Sequence, residues 1–411
     1  MRRLGVISVL LLIGLWLSGC GNQTELNELG IISATGVDGT EGNWTVTYQI
    51  IIPSAMSSGA GGSGGGGGSQ SAVHTFSTEG KTIREAIDVS NLENPRKLYF
   101  AHNNVLLIGK ETANAGINEI VDSYLRNFDS RETVKVMVAD QEARDLLKQL
   151  VPPERLPGVA LAKILKKDSQ MGSFFPTITM YEIAQRISSE TGAVGIPEVS
   201  MVGSGDEKLD SIEVFQKTSS KVKLKLSGLS VFKGSKRIAT LNRMESQGIS
   251  WLDNKMNSST LSFEDPNTKD GVKSFTAFQV HIAKVKTTPV KGPLHYTLNV
   301  KVRVNGEIVE SASQEDISKT EGINKMQQLV NKQIEAQIQD SWKTIQKLNV
   351  DLLGIANKVH RKYPKDWNKI KGSWSDELAR MDIKIDVQTI ISRPGLFQKS
   401  FTKQVEPETD N

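Results

Sequence analysis

The chain has 411 residues, 38% of them hydrophobic, enough to build sizeable buried cores and far from the composition of a disordered protein. Its 50 basic residues stand against 46 acidic ones, and the formal charge of +4 is too mild to argue for a nucleic-acid binder, which needs a concentrated basic face. A single cysteine excludes an intramolecular disulfide, and the five histidines, His74, His102, His281, His295 and His360, never approach the spacing of a zinc site.

Met1-Arg2-Arg3 is a positive opening, and Leu4 to Leu17 follow without a charge. This is the grammar of a secretory signal. The run falls short of the roughly 20 apolar residues a spanning helix needs, so residues 1–19 are expected to be a removed signal peptide. Leu17-Ser18-Gly19-Cys20 resembles the lipobox of bacterial lipoproteins. The resemblance implies that Cys20 becomes the first residue of the mature chain and carries S-diacylglycerol and an N-acyl (palmitate) chain. Two or more acyl chains anchor stably where one binds only marginally. Arg2 and Arg3 hold the n-region at the cytoplasmic face, so everything after Cys20 is expected outside, tethered rather than spanning.

Behind the anchor, Leu29–Val37 and Trp44–Ile52 read as two strands around the turn residues 38–43, a hairpin. Residues 54–71, dominated by glycine and serine, read as a flexible loop. Val73–Phe76 is extended, Thr82–Leu92 a helix and Leu98–Ile108 a largely buried strand. Ile117–Phe128 has the spacing of an amphipathic helix, Thr133–Ala139 is a strand and Gln141–Leu150 a helix ended by Pro152-Pro153. Helical pieces are expected at Val159–Lys166 and Met180–Ser189, and the glycines between Thr191 and Leu209 suggest a linker. From Lys221 short strands follow, Val222–Leu226 alternating with lysines and Leu229–Phe232 and Arg237–Leu241 flanking a turn.

Phe275–Lys286 and Leu294–Val304 read as longer strands, and Asn305-Gly306 as a hairpin turn returning through Glu307–Ser311. Glu321–Leu348 repeats apolar residues at three- and four-residue spacing and is expected to cover that sheet. Leu352–Arg361 is a helix stopped near Pro364, and Met381–Ile391 a final strand. The fold class is α+β, mixed or mainly antiparallel sheets with covering helices. Three domains are expected: 20–200 mixed α/β, 201–260 small and β-rich, 261–400 a sheet with a long helix, then a polar tail, 401–411.

No catalytic constellation is legible. The glycine patterns at Gly59, Gly61 and Gly64 are accidents of composition, and the phosphate-loop reading of Gly80-Lys81-Thr82 fails because Thr75 stands where the first glycine belongs. Ser230-Val231-Phe232-Lys233 sits in an alternating strand without the companion motifs of a serine acylase. Lys358, His360, Arg361, Lys362, Lys365, Lys369 and Lys371 surround Tyr363, Trp367 and Trp374. Such a cluster can meet anionic headgroups, but a solvated helix end with its aromatics in the core explains it more simply.

Four stretches in collinear order carry a family resemblance. Glu25–Ile32 with Gly36-Val37-Asp38, Asn94–His102 running into Val105–Gly109, Gly228–Gly234 with Gly248–Leu252, and Val359–Trp367 resemble the Ger(x)C lipoproteins, the C subunits of bacterial spore germinant receptors. The family often has tryptophan and an acid directly after the cysteine, whereas Gly21-Asn22-Gln23-Thr24 stand here. The resemblance implies three mixed α/β domains and a non-enzymatic subunit without cofactor or metal, at the inner membrane of dormant spores. It implies integral membrane A and B subunits as partners in a response to small nutrients. A solute-binding lipoprotein that captures the nutrient itself is the alternative.

Overall fold

The computed structural model describes residues 25–57, 70–127, 129–204, 209–264, 274–313, 317 and 319–393. The expected signal peptide 1–19, Cys20, residues 58–69 of the glycine-serine run and the tail 401–411 lie outside the described residues.

Strands β1 (Leu29–Thr40) and β2 (Asn43–Ile51) form the expected hairpin, turning through Gly42 at a φ of 84° that glycine adopts freely. Helix α1 (Pro53–Ser57) follows, then β3 (Val73–Gly80) antiparallel to β2, and helix α2 (Ile83–Val89). The strand expected over 98–108 is broken by a 3-10 turn at Phe100–His102 into β4 (Lys97–Tyr99) and β5 (Val105–Ile108). Helices α3 (Lys110–Ala115) and α4 (Asn118–Arg126) lead to β6 (Lys135–Ala139), then α5 (Ala143–Leu147), α6 (Pro157–Met171) and α7 (Met180–Ile187). Next come β7 (Ala193–Gly203), β8 (Val222–Lys233), β9 (Lys236–Leu241) and helix α8 (Arg243–Leu252).

These nine strands make one sheet in the order β3-β2-β1-β5-β6-β7-β8-β9, with β4 beside the start of β1. β1, β5, β6 and β7 run parallel, and their central residues are buried on both sides. Leu106, Val136 and Val138 face a core closed by Ile83, Ile120 and Ile183 from α2, α4 and α7. Their neighbours Leu107, Met137 and Ala139 face the opposite core, closed by Leu146 and Leu147 of α5 and Leu161 and Leu165 of α6.

The second sheet has four strands, β10 (Ser259–Glu264), β11 (Phe275–Lys291), β12 (Tyr296–Ser311) and β13 (Asp382–Arg393), in that order. β12 and β13 are parallel, so the chain must cross over between them. It does so through the long helix α9 (Thr320–Leu348) and the short helices α10 (Ile355–Lys362), α11 (Pro364–Ile370) and α12 (Trp374–Arg380). Met326, Val330, Ile334, Ile338, Trp342 and Ile345 line the buried stripe of α9 and lie in one core with Leu298, Val300, Val302 and Val304 of β12.

The α+β class, the long covering helix and the helix stop near Pro364 stand, and three further local expectations change. Residues 191–209 are not a linker through their length: β7 occupies 193–203, its Gly195 packed against the Leu229 side chain, 2.9 Å from where a Cβ would stand. The strands expected in a separate unit over 201–260 have no sheet of their own; β8 pairs with β7 and β9 with β8, extending the large sheet. Asn305-Gly306 makes no turn, because β12 is paired on both sides and continues to Ser311. A Cβ at Gly306 would lie 2.2 Å from the Gln279 carbonyl oxygen and 2.5 Å from the Phe278 ring, and the register slips there, so this glycine serves a bulge. Pro364 opens α11 at its first turn, where a missing N–H costs nothing.

Candidate functional site

The stretches that carry the family resemblance converge on structural joints. Asp38, at the carboxyl end of β1, accepts from the backbone N–H groups of Ala143 at 2.8 Å and Arg144 at 2.9 Å, capping α5. Gly109 makes room for that carboxylate: a Cβ on it would fall 2.0 Å from Asp38 Oδ1. Gly36 similarly faces Leu147 and Ala143. Burial raises the Asp38 pKa above its ordinary value, the two backbone bonds and Arg144 opposing it. Gly30 lies against Leu98 and the Asn94 side chain, joining the first stretch to the second.

The Gly228–Gly234 stretch lies in β8 and meets a buried ion pair. Glu198 Oε2 accepts from Ser230 Oγ at 2.7 Å and Thr240 Oγ1 at 3.0 Å, with Arg237 Nη2 at 3.4 Å; Arg237 Nε also donates to Ser230 Oγ at 2.9 Å. The Ser230 hydroxyl is thus fully engaged and has no histidine or lysine base on it. Gly248 in α8 lets α9 approach closely, since a Cβ there would clash with Ser341. Beside it runs a buried polar chain: Trp251 Nε1 donates to Gln337 at 3.1 Å, Gln337 to Gln247 at 2.6 Å, and Gln247 to Ser259 at 2.7 Å. Helix α8 packs on β8, on β11 and on α9, and so joins the two sheets.

In the last stretch Trp367 is 1% exposed, stacked by His360 and met edge-on by Trp374. Trp367 and Trp374 are core residues and Tyr363 is partly buried against that core, in line with the simpler reading of this basic cluster. Lys362 donates to the Pro289 carbonyl at 3.1 Å, and Lys358 to Thr287. Asp351, fully buried, accepts from Leu353, Ile355 and Ala356 N–H groups at 3.2, 2.9 and 2.6 Å and caps α10. Its pKa is raised by burial against those bonds. Arg186 of α7 reaches Asp253 at 2.7 Å and the Leu352 carbonyl at 2.9 Å, another tie between the sheets.

Two grooves remain. One of about 550 Å³ lies between α2 and α4, with Trp44, Ile83 and Ile87 on its walls and Arg84, Asp122 and Arg126 on its rim. Those arginines are already paired, Arg84 with Asp88 at 2.9 Å and Arg126 with Asp122 at 2.8 Å. The other, about 510 Å³, lies at the amino ends of β1, β5 and β6, lined by Ile31, His102, Asn104, Arg131 and Lys135. Open α/β sheets bind ligands at the carboxyl ends of their strands, the opposite edge.

Among the described residues no group of three or more His, Asp or Glu could hold a metal, and no helix is long and apolar enough to cross a membrane. Gly80-Lys81-Thr82 is a helix start, Thr82 Oγ1 accepting from Glu85 N–H at 3.0 Å and Glu85 accepting from Lys81 N–H at 2.7 Å. Gly59, Gly61, Gly64 and Cys20 lie outside the described residues.

Two family models match the chain: the spore germination protein N-terminal domain over residues 22–201, and the spore germination B3/GerAC-like C-terminal domain over residues 227–395. Spore germination protein KC of Bacillus subtilis is 31% identical over 402 residues, covering 96% of this chain and 97% of its own. Spore germination protein B3 of the same organism is 21% identical, covering 97% and 100%. A crystal structure of the GerBC protein overlays with a TM-score of 0.54 at 16% identity, across 90% of this chain and all of the other, a likeness of fold. The chain belongs to the Ger(x)C family of spore germination proteins.

Proposed function

We propose that the chain is the lipid-tethered, non-enzymatic C subunit of a germinant receptor, anchored through acylated Cys20 to the outer face of the spore inner membrane. There it assembles with integral membrane A and B subunits and takes part in nutrient-triggered germination. The observation that carries the reading is the family match over nearly the whole chain behind a Leu17-Ser18-Gly19-Cys20 lipobox. Tethering explains how such a subunit can work with modest intrinsic affinity: restriction to one membrane raises its effective concentration for partners in that membrane. The stretches shared with the family supply caps, close approaches and core, which suits a rigid body that presents surfaces.

Cys20→Ala tests the anchor. It is expected to abolish acylation, release the protein from the membrane fraction and slow germination of spores. Normal germination with an unacylated variant overturns the tether. Mild detergent extraction tests assembly, the expected result being co-purification with the A and B subunits; migration alone refutes it. The second reading, direct capture of a nutrient, has the α2–α4 groove as its best location. A ligand that binds only the folded state raises the melting temperature, so titration with amino acids and sugars decides it.

A further inference from the structure

One face of the four-stranded sheet is packed under α9, and the other is open. On the open face Lys284 of β11 stands directly opposite Arg303 of β12, and Lys286 directly opposite Lys301. Lys384 of β13 lies one row further, opposite Asn299. All five side chains are exposed, and among the described residues none of them makes an ion pair. Asp386, opposite Lys301, is the acid within the patch; Asp382 and Glu307 stand at its ends, Glu307 engaged by His281 at 3.2 Å. Ile282 and Ile390, 58% and 60% exposed, flank Asn305 in the adjoining row.

Like charges directly opposite on neighbouring strands destabilise a sheet. Two such pairs in successive rows therefore oppose folding; Asp386 offsets part of this beside Lys301, and among the described residues no acid stands opposite Lys284, Arg303 or Lys286. Their alternation with Val285, Val300, Val302 and Val304 fixes which face they occupy, but that pattern needs only polar residues, not cations. An external anion would relieve the repulsion. The composition tells which kind. Cores of protein interfaces are rich in tyrosine, tryptophan and arginine and depleted in lysine, whereas this patch has four lysines to one arginine and no aromatic residue. Lysines on a flat surface are what juxtamembrane polybasic segments use on anionic lipid.

We infer that this basic sheet face docks on anionic phospholipid headgroups, with Ile282 and Ile390 entering the interfacial layer, and so fixes how the tethered body sits on its membrane. The inference rests on the tethered reading for the nearness of the lipid. The described chain begins five residues after Cys20, a reach of at most about 18 Å, so the body has little room to stand away from the headgroups.

The test uses the mature full-length chain carrying Cys20→Ser, so that acylation plays no part and failure of the tether does not enter the result. Vesicles of equal parts phosphatidylglycerol and phosphatidylcholine are compared with phosphatidylcholine alone. Sedimentation with the anionic vesicles is expected, weakening as salt is raised, and Lys284→Gln/Lys286→Gln/Lys301→Gln/Arg303→Gln is expected to reduce partition about tenfold or more. Because the substitutions remove repulsion, its melting temperature is expected to equal or exceed that of the parent. A control, Lys223→Gln/Lys225→Gln/Lys236→Gln/Lys365→Gln, has the same net charge and is expected to keep binding. Equal loss in the control reduces the effect to net charge and overturns the proposal, as does equal binding to neutral vesicles. If the parent ignores anionic vesicles while the sheet-face variant still fails to co-purify with receptor subunits, the face belongs to a protein partner and the lipid proposal is wrong.

Discussion

Successive residues on β5 point into two different cores, whereas successive residues on β12 point alternately into a core and into open solvent. The centre of the large sheet is parallel and covered on both faces, so its strands read Val-Leu-Leu-Ile and Lys-Val-Met-Val-Ala, with scarcely a polar position to spare. The small sheet is covered on one face by α9, and its longest strands alternate. A sheet sealed on both sides can do little but hold its neighbours in place. One with a bare face has a surface to present, and the charges placed there are free to answer to something other than folding.

That contrast is broken most directly by truncation. Leu106→Ala and Leu107→Ala are each expected to destabilise by about 2–5 kcal/mol, since both faces of β5 are closed. On the small sheet Leu298→Ala is expected to cost as much, while Ile282→Ala changes stability by no more than about 0.5 kcal/mol. Denaturant titrations measure all four. An Ile282→Ala variant as damaged as Leu298→Ala means the open face is buried against something in the folded chain.

Charge at the edge of the large sheet supplies a sharper test, because there a carboxyl group is buried rather than solvated. Burial holds the Asp38 pKa above its ordinary value of about 3.9 despite two backbone donors. With the folded pKa above the unfolded one, the folded state binds the proton more tightly. The group's contribution is therefore fully present below about pH 4 and is lost as pH rises through the folded pKa. The stability of the parent relative to Asp38→Asn is expected to fall as pH is raised from about 4 towards neutrality. A difference that grows with pH means that the Ala143 and Arg144 N–H groups outweigh desolvation.

How much of this was legible follows the same division. The alternation of β12 and the apolar spacing of α9 announce a half-covered sheet from the residues alone, because one face in water leaves a periodic trace. The Glu25–Gly36–Asp38 opening was legible as a family signature, yet its job was not: Asp38 caps a helix a hundred residues away, and only the fold brings Ala143 to it. Glycine misled twice in one manner. Gly195 and Gly306 look like linker and turn residues, but each is small because a neighbouring side chain or carbonyl presses on it, a reason invisible without the partner strand. Helix α8 was missed although Asn242 and Glu245 form a capping box at its start, a signal the sequence did contain. It leaves little apolar periodicity because it is buried all round from Ser246 onward, with Ser246, Gln247 and Ser250 inside as well as Ile249, Trp251 and Leu252. The basic face was hidden differently, since Lys284, Lys286, Lys301 and Arg303 look like ordinary solvent-facing alternation until the register sets them side by side.

That register yields the smallest and most discriminating effect. In Lys286→Glu a carboxylate stands opposite Lys301, and a repulsive cross-strand pair becomes an attractive one. The variant is expected to be more stable than the parent by about 0.2–1 kcal/mol at low ionic strength, the gain shrinking as salt screens both states. Lys301→Glu is expected to gain less, because Asp386 lies opposite it on the other side and the new carboxylate meets a like charge there. The order of the two variants follows from the register of three strands. If Lys301→Glu proves the more stable, or if neither variant responds to salt, the cations do not oppose one another in the folded chain and the bare face carries no stored repulsion for an anion to relieve.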